Sequence, residues 1–162
     1  MIKKIITLLL IVLAFNGCTR DDICPEGSDT TPLLIIVFKD ILDPSEAKAV
    51  PNLTVRADYS NNVDVLVAAN TDSIAIPLRT GADDTRFQFI NENEDGTFTN
   101  VDILSFLYQR EDVYLNRACG FKTIYNQLGF NLEGDPNNWL LNIQIETQTV
   151  EDETETHVTI LH

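Results

Sequence analysis

Apolar and polar side chains alternate along several segments of the chain. The alternation runs over residues 53–60 and again over residues 139–146. Successive side chains of a β-strand point to opposite faces of a sheet, so each segment predicts a strand with one buried and one exposed face. Residues 74–78 alternate in the same way but include Pro77. Because proline cannot donate a sheet hydrogen bond, we expect this strand at a sheet edge.

Two other segments are apolar at both parities. Residues 33–38 are apolar throughout, which predicts a strand covered on both faces. Residues 101–108 are also apolar at both parities, and a helix is an alternative there. Their aromatic and β-branched content favours a central strand.

The pattern further predicts one long strand from Val113 to Tyr125. Five apolar positions in it share one parity: Val113, Leu115, Cys119, Phe121 and Tyr125. That parity places Cys119 on the core side. Arg117 shares it and would need a partner or a position near water. An acidic turn at residues 151–155 precedes the last predicted strand, residues 156–161.

Turn-forming pairs separate these segments, namely Asp43-Pro44, Asn61-Asn62, Asp95-Gly96 and Asp135-Pro136. No segment has the 3.6-residue period of a long helix. The sequence therefore predicts an all-β fold of eight or nine short strands, a single β-sandwich of immunoglobulin-like type over residues 33–162. The immunoglobulin signature itself is lacking, because both downstream cysteines precede Trp139.

The first residues have the pattern of a bacterial export signal. Lys3 and Lys4 precede an apolar run from Ile5 to Phe15. This run is shorter than the about 20 residues that a membrane-spanning helix needs. It ends at Cys18 and resembles the lipobox of bacterial lipoproteins, in which the cysteine is acylated and becomes the new N-terminus. We therefore expect residues 1–17 to be a signal peptide and Cys18 to be lipidated; an ordinary secretory signal with an unrelated cysteine is the alternative.

Residues 18–32 are polar and contain Gly27 and Pro32, a composition typical of a tether. Arg20 followed by two acids resembles the signal by which some Gram-negative lipoproteins reach the outer face of the outer membrane. Plain linker composition is an equal explanation. We expect a lipid-anchored protein of the outer membrane, on its periplasmic or cell-surface face.

The charge of the chain restricts its partners. Its formal net charge is −14, which repels phosphate backbones and anionic lipid surfaces. We expect no nucleic-acid partner, attachment to the membrane through lipid, and envelope proteins or glycans as partners.

The chain has three cysteines. If Cys18 carries lipid, Cys24 and Cys119 remain, and an exported protein with one such pair favours a disulfide between them. Two buried free thiols are the alternative.

Residues 91–96, followed by Asp102, resemble an EF-hand calcium loop, in which oxygen ligands alternate around the ion. The corresponding ligands would be Asn91, Asn93, Asp95 and Asp102. The EF-hand family prefers Asp at the first of these positions, and residues 85–90 alternate as a strand. We therefore favour a solvated hairpin tip, and expect neither a metal nor a cofactor.

Motifs of catalysis are lacking, since the sequence has no phosphate-binding glycine loop and no nucleophile elbow. His157 and His162 are predicted to be exposed residues at strand ends. Adjacent carboxylates are predicted to lie in solvated turns or at strand ends: Asp83-Asp84, Glu111-Asp112 and residues 151–155. We expect a protein that is not an enzyme.

Four segments together resemble a group of small outer-membrane lipoproteins known only as a domain of unknown function. They are residues 18–25 (CTRDDICP), 76–80 (IPLRT), 117–123 (RACGFKT) and 138–139 (NW). The resemblance implies a lipid anchor and a paired Cys24 and Cys119, and it implies no activity.

These patterns predict a non-enzymatic, lipid-anchored envelope protein that acts as a binding or structural accessory to outer-membrane proteins. The alternative is a module that captures a carbohydrate or a small hydrophobic molecule with exposed aromatic side chains, such as Tyr108, Tyr114 or Trp139.

Overall fold

A computed structural model of the chain describes residues 23–59, 61–92 and 99–162. The described residues form nine β-strands and no helix. The strands are β1 (Leu33–Lys39), β2 (Val50–Ala57), β3 (Val63–Thr71), β4 (Ser73–Pro77), β5 (Asp84–Glu92), β6 (Thr99–Asn116), β7 (Gly120–Leu132), β8 (Asn142–Ile145) and β9 (Val158–Leu161).

The chain divides into two compact units. The larger comprises residues 30–113 and 122–162. Among the described residues, the smaller comprises residues 23–29 and 114–121.

The strands form two sheets. One has four strands in the order β4-β1-β9-β8, and the other has five in the order β3-β2-β5-β6-β7. All strand pairs with a defined register are antiparallel except β1 and β9, which run parallel from Ile36 opposite Val158 to Lys39 opposite Leu161. The predicted β-sandwich is confirmed.

The described residues of the larger unit form one hydrophobic core. Both sheets supply side chains that are fully buried, including Leu34, Ile36 and Phe38 from β1 and Phe87, Phe89, Leu104 and Phe106 from β5 and β6. Phe87 meets Phe89 and Phe106 edge to face, with ring centroids 6.4 and 6.3 Å apart. The two-residue period of these strands delivers one buried face from each sheet.

Three predictions from the pattern are confirmed. Residues 53, 55 and 57 of β2 are buried while their neighbours are not, but the alternation predicted up to residue 60 stops with the strand, because Tyr59 is 41% exposed. The Pro77 segment, β4, lies at an edge of its sheet. Residues 101–108 form part of a strand, β6, rather than a helix.

The prediction that residues 33–38 are covered on both faces is wrong. In β1 only Leu34, Ile36 and Phe38 are buried, and the residues between them are half-buried. The strand buried at every position is β9, which lies between β1 and β8.

The long strand predicted from Val113 to Tyr125 is also wrong, because the chain turns at residues 117–119. The Asn116 side chain makes this turn, since its Oδ1 accepts hydrogen bonds from the N–H groups of Ala118 (2.9 Å) and Cys119 (2.8 Å). Gly120 follows with a φ of +73°, a conformation that glycine adopts without strain. Cys119 is therefore half-buried within this turn instead of on the core face of a strand, and Arg117 is exposed.

The alternation predicted for residues 139–146 fails at its start. Leu140 is buried and Leu141 is 57% exposed, which reverses the expected faces. The backbone N–H of Leu140 donates to the Asp102 Oδ2 at 2.8 Å instead of joining a sheet, and β8 begins only at Asn142.

Candidate functional site

A polar cavity of about 680 Å³ lies at the start of β6 in the larger unit. Its described lining comes from β6 and from the loop between β7 and β8: Thr99, Asn100, Val101, Asp135, Asn137 and Asn138. It opens to solvent.

Hydrogen bonds hold the loop against β6. The Asp135 Oδ1 accepts the Asn137 N–H at 2.8 Å, as expected for an Asp-Pro turn. The Asn100 Nδ2 donates to the Asn137 carbonyl at 2.6 Å, and the Asn138 Nδ2 donates to the Glu133 carbonyl at 2.9 Å. The loop conformation is therefore fixed by contacts to its own turn and to the neighbouring strand.

Two side-chain oxygens in this region are buried without a hydrogen-bond partner among the described residues. One is the Oδ1 of Asn138, a residue that lines the cavity. The other is the Oδ1 of Asp102, a residue of β6 that does not line the cavity but follows Val101, which does. Buried polar atoms in folded proteins nearly always have a partner, so these two oxygens are exceptions beside the cavity.

Asp102 itself is an internal support of the fold. Its side chain is 1% exposed and its Oδ2 accepts the Leu140 N–H. Burial raises the pKa of the Asp102 carboxyl, while hydrogen bonds from the backbone of Leu140 and Trp139 act in the opposite direction.

The predicted calcium ligands are only partly within the described residues. Asn93 and Asp95 lie outside them. Asn91 on β5 pairs with Asn100, and Asp102 on β6 pairs with Phe89. Within the part of the chain that the structure describes, no group of three or more His, Cys, Asp or Glu side chains is arranged to hold a metal ion.

The three aromatic side chains predicted to be exposed differ in their surroundings. Tyr114 is 57% exposed, as expected. Trp139 is half-buried, stacks on Phe38 and donates its indole N–H to the Phe89 carbonyl at 3.2 Å. The prediction for Tyr108 is wrong, because this side chain is 4% exposed.

Tyr108 belongs to a buried network that fixes the loop after β4. Its hydroxyl lies 2.6 Å from the Thr85 Oγ1 and donates to the Arg79 carbonyl at 3.1 Å. Tyr125 donates to the Leu78 carbonyl at 3.0 Å, and burial raises the pKa of Tyr125 to about 12. Both tyrosines thus stay neutral and act as hydrogen-bonding anchors.

The carboxylates considered for acid–base chemistry make structural contacts. Asp83 pairs with Arg110, with Oδ1 and Nε 2.7 Å apart. Asp112 accepts the Thr123 hydroxyl at 2.8 Å. The Glu153 Oε1 accepts the Leu33 N–H at 3.0 Å, at the start of β1. These acids position strands and turns of the larger unit.

The prediction that His157 is an exposed strand-end residue is wrong. The side chain is 1% exposed, and its Nδ1 accepts the Ile35 N–H at 3.0 Å. His162 is half-buried against Phe38 and Trp139. Burial lowers the pKa of each histidine below its usual value of about 6.5.

We expect acid to weaken the fold through His157. A histidine whose folded pKa is lowered contributes stability that is complete above about pH 6.5 and is lost as the pH falls through the folded pKa. Protonation of the His157 Nδ1 also removes the acceptor of the hydrogen bond from the Ile35 N–H. Urea unfolding is measured at about pH 7.5 and about pH 5. The free energy of unfolding should fall more between these two pH values for the wild type than for His157→Asn, whose amide oxygen can accept the Ile35 N–H without titrating. Equal losses in the two proteins would assign the acid sensitivity to other groups, such as His162.

The smaller unit contains the one disulfide that the described residues form, between Cys24 and Cys119, with Cα atoms 4.8 Å apart. The predicted pairing is confirmed. The Cys119 Sγ also lies 3.3 Å from the Asn116 Nδ2 and 3.4 Å from the Ser28 Oγ. The same asparagine that makes the turn thus contacts the bridge.

The fold and this bridge define the protein as an all-β sandwich protein with a disulfide. The chain belongs to the Family of unknown function (DUF6452), which matches it over residues 52–162. Segments 76–80, 117–123 and 138–139, on which the family resemblance rests, lie inside this range, and segment 18–25 precedes it. No curated protein and no solved structure matches the chain.

Sequence reasoning did not identify the cavity. The sequence predicts only a turn at residues 135–138 and a strand that begins at Val101, so it assigns no role to Thr99 and Asn100. The Asn and Asp residues of 135–138 and the single Asn100 are visible in the sequence, but their proximity depends on the return of the chain along β7. None of the described residues forms a helix with the length and apolar character that a membrane crossing requires.

Proposed function

We propose that the protein is a non-enzymatic lipoprotein, held at the outer membrane by lipid on Cys18 and serving as a binding or structural accessory to envelope proteins. The Cys24–Cys119 disulfide carries the proposal. A bridge of this kind is typical of an oxidising compartment outside the cytoplasm. It also accounts for two of the three cysteines and leaves Cys18, at the end of the signal-like segment, for acylation.

The surface chemistry supports the same proposal. A formal net charge of −14 disfavours direct attraction to phosphate-rich surfaces, so lipid is the suited means of attachment. Two or more acyl chains hold a protein stably at a membrane, whereas a single chain does not.

The test is fatty-acid labelling of the full precursor in a Gram-negative host. We expect the wild type to incorporate label, to fractionate with the outer membrane and to have the mass of a chain that begins at acylated Cys18. Cys18→Ser should lose both label and membrane association. The double variant Cys24→Ser/Cys119→Ser is the matched control and should keep the label. An unmodified Cys18 in the wild type would refute the proposal.

A second proposal is that the polar cavity binds a hydroxyl-rich ligand such as a carbohydrate. The observation that favours it is the polar lining of the cavity, in which the Asn138 Oδ1 has no hydrogen-bond partner among the described residues. Asn100, Asn137 and Thr99 add amide and hydroxyl groups to the lining. Such a surface suits sugar hydroxyls better than an apolar molecule, because an apolar ligand would leave these groups unsatisfied.

This proposal is tested by titrating envelope glycans against the protein while following the fluorescence of Trp139, the residue next to Asn138. Asn137→Ala removes a lining carboxamide and should weaken binding about fivefold, the equivalent of one hydrogen bond. Asn70→Ala, at an exposed position on β3, is the control and should bind like the wild type. The absence of binding across the glycan panel would reject the cavity as a carbohydrate site.

A further inference from the structure

Among its described residues, the smaller unit exposes three large apolar side chains. Ile23 is 80% exposed, Phe121 is 65% exposed and Tyr114 is 57% exposed. Tyr114 and Phe121 contact each other edge to face across the β6–β7 turn, with ring centroids 5.2 Å apart. An exposed cluster of this kind marks an interaction surface when something holds a partner nearby.

The disulfide connects these three residues to the N-terminal segment. Ile23 precedes Cys24, Phe121 follows Cys119 by two residues, and the two cysteines are bonded. Cys18 and Cys24 are separated by six residue steps, which span at most about 20 Å even when fully extended. If Cys18 carries lipid, as proposed above, Cys24 must therefore lie within about 20 Å of the lipid headgroups, and the bridge holds the Cα of Cys119 only 4.8 Å from that of Cys24.

We propose that Ile23, Tyr114 and Phe121 form a membrane-contact patch that enters the interfacial zone of the bilayer to which the chain is anchored. Aromatic rings favour this zone, and tyrosine does so because it combines an apolar ring with a polar hydroxyl. The inference rests on the proposed lipidation.

Because the lipid anchors the chain, a patch of only three residues is sufficient for contact with the bilayer. Once the lipid has inserted, contact between the patch and the bilayer is intramolecular, at an effective concentration in the millimolar range for a short tether. A weak interfacial affinity then suffices to keep the patch in contact. The described charged residues of this unit are Glu26, Asp29 and Arg117, a set that provides no basic patch for anionic lipid. We therefore expect the patch to contact zwitterionic lipid.

The experiment uses the lipidated full-length mature protein in phosphatidylcholine vesicles that contain a lipid brominated near the headgroup end of its acyl chains. Phe121→Trp places a fluorophore in the patch. Val67→Trp is its matched control, because Val67 is also 65% exposed but lies on β3. The wild type, whose one tryptophan is Trp139, gives the baseline.

We expect bromolipid to quench the added indole at position 121 about twofold or more over that at position 67, since interfacial groups lie about 5–10 Å into the headgroup boundary. A second matched pair, Tyr114→Trp and Leu141→Trp, repeats the test at positions that are each 57% exposed. Agreement of the two pairs would support the patch. If a variant of one pair folds poorly, the other pair still tests it.

Equal quenching at patch and control positions, in vesicles that carry the lipidated protein, would overturn the inference and leave the proposed lipoprotein function intact. Failure of the wild type to float with vesicles, together with an unmodified Cys18, would overturn both. Concentration-dependent dimers of Cys18→Ser that dissociate on Phe121→Ser would assign the patch to self-association and would also overturn the inference.

Discussion

Replacing Cys24 and Cys119 together by serine is expected to lower the free energy of unfolding by about 4–5 kcal/mol. The bridge closes a loop between residues 95 positions apart. A cross-link over so long a loop removes much of the conformational entropy of the unfolded chain, so its loss makes unfolding more favourable. The cost is a large part of the 5–15 kcal/mol that a domain of ordinary size has in total.

Urea unfolding of the protein in a Cys18→Ser background measures this effect without the lipid. After treatment with reductant, the protein that retains Cys24 and Cys119 should unfold at the same urea concentration as the double serine variant. The m-value should rise when the bridge is absent, because the unconstrained unfolded chain exposes more surface. A loss below about 1 kcal/mol would mean that the bridge acts only locally, within the smaller unit.

Phe87→Ala is expected to cost about 3–5 kcal/mol. The side chain is fully buried and contacts Phe89 on the same strand and Phe106 on β6. Its removal sacrifices the transfer free energy of a ring and leaves a cavity that the neighbouring rings, fixed by their strands, can fill only in part.

The same chemical deletion at a solvated position is the control. Phe121→Ala removes an identical ring that is 65% exposed, and it should change the free energy of unfolding of the lipid-free protein by no more than about 0.5 kcal/mol. Comparable losses at the two positions would show that Phe121 is covered in solution, which would also count against the membrane-contact patch.

The parts of the fold that the sequence predicted are those set by local periodicity. The alternation of residues 53–57 follows from strand geometry alone, and so does the edge position of the Pro77 strand, because proline lacks the donor that a central strand needs. The β-branched and aromatic content of residues 101–108 favoured a strand for the same local reason.

The errors share a different origin. The apolar parity continues from residue 113 to residue 125 in the sequence, although the Asn116 side chain and Gly120 form a turn between the two strands. Leu140 and His157 were assigned to the wrong environment because each bonds a residue far away in the chain, Asp102 and Ile35 respectively. No local pattern contains such contacts.

By itself, the sequence determined that the chain is an all-β sandwich, that its edges and turns lie near particular prolines and asparagines, and that Cys24 and Cys119 are available to each other. Tertiary structure alone decided which polar groups are buried, that β9 rather than β1 is covered at every position, and that residues 99–101 and 135–138 meet around a cavity. The physical reason is that side-chain direction along a strand follows from neighbouring residues. Burial, in contrast, depends on which distant strand packs on top.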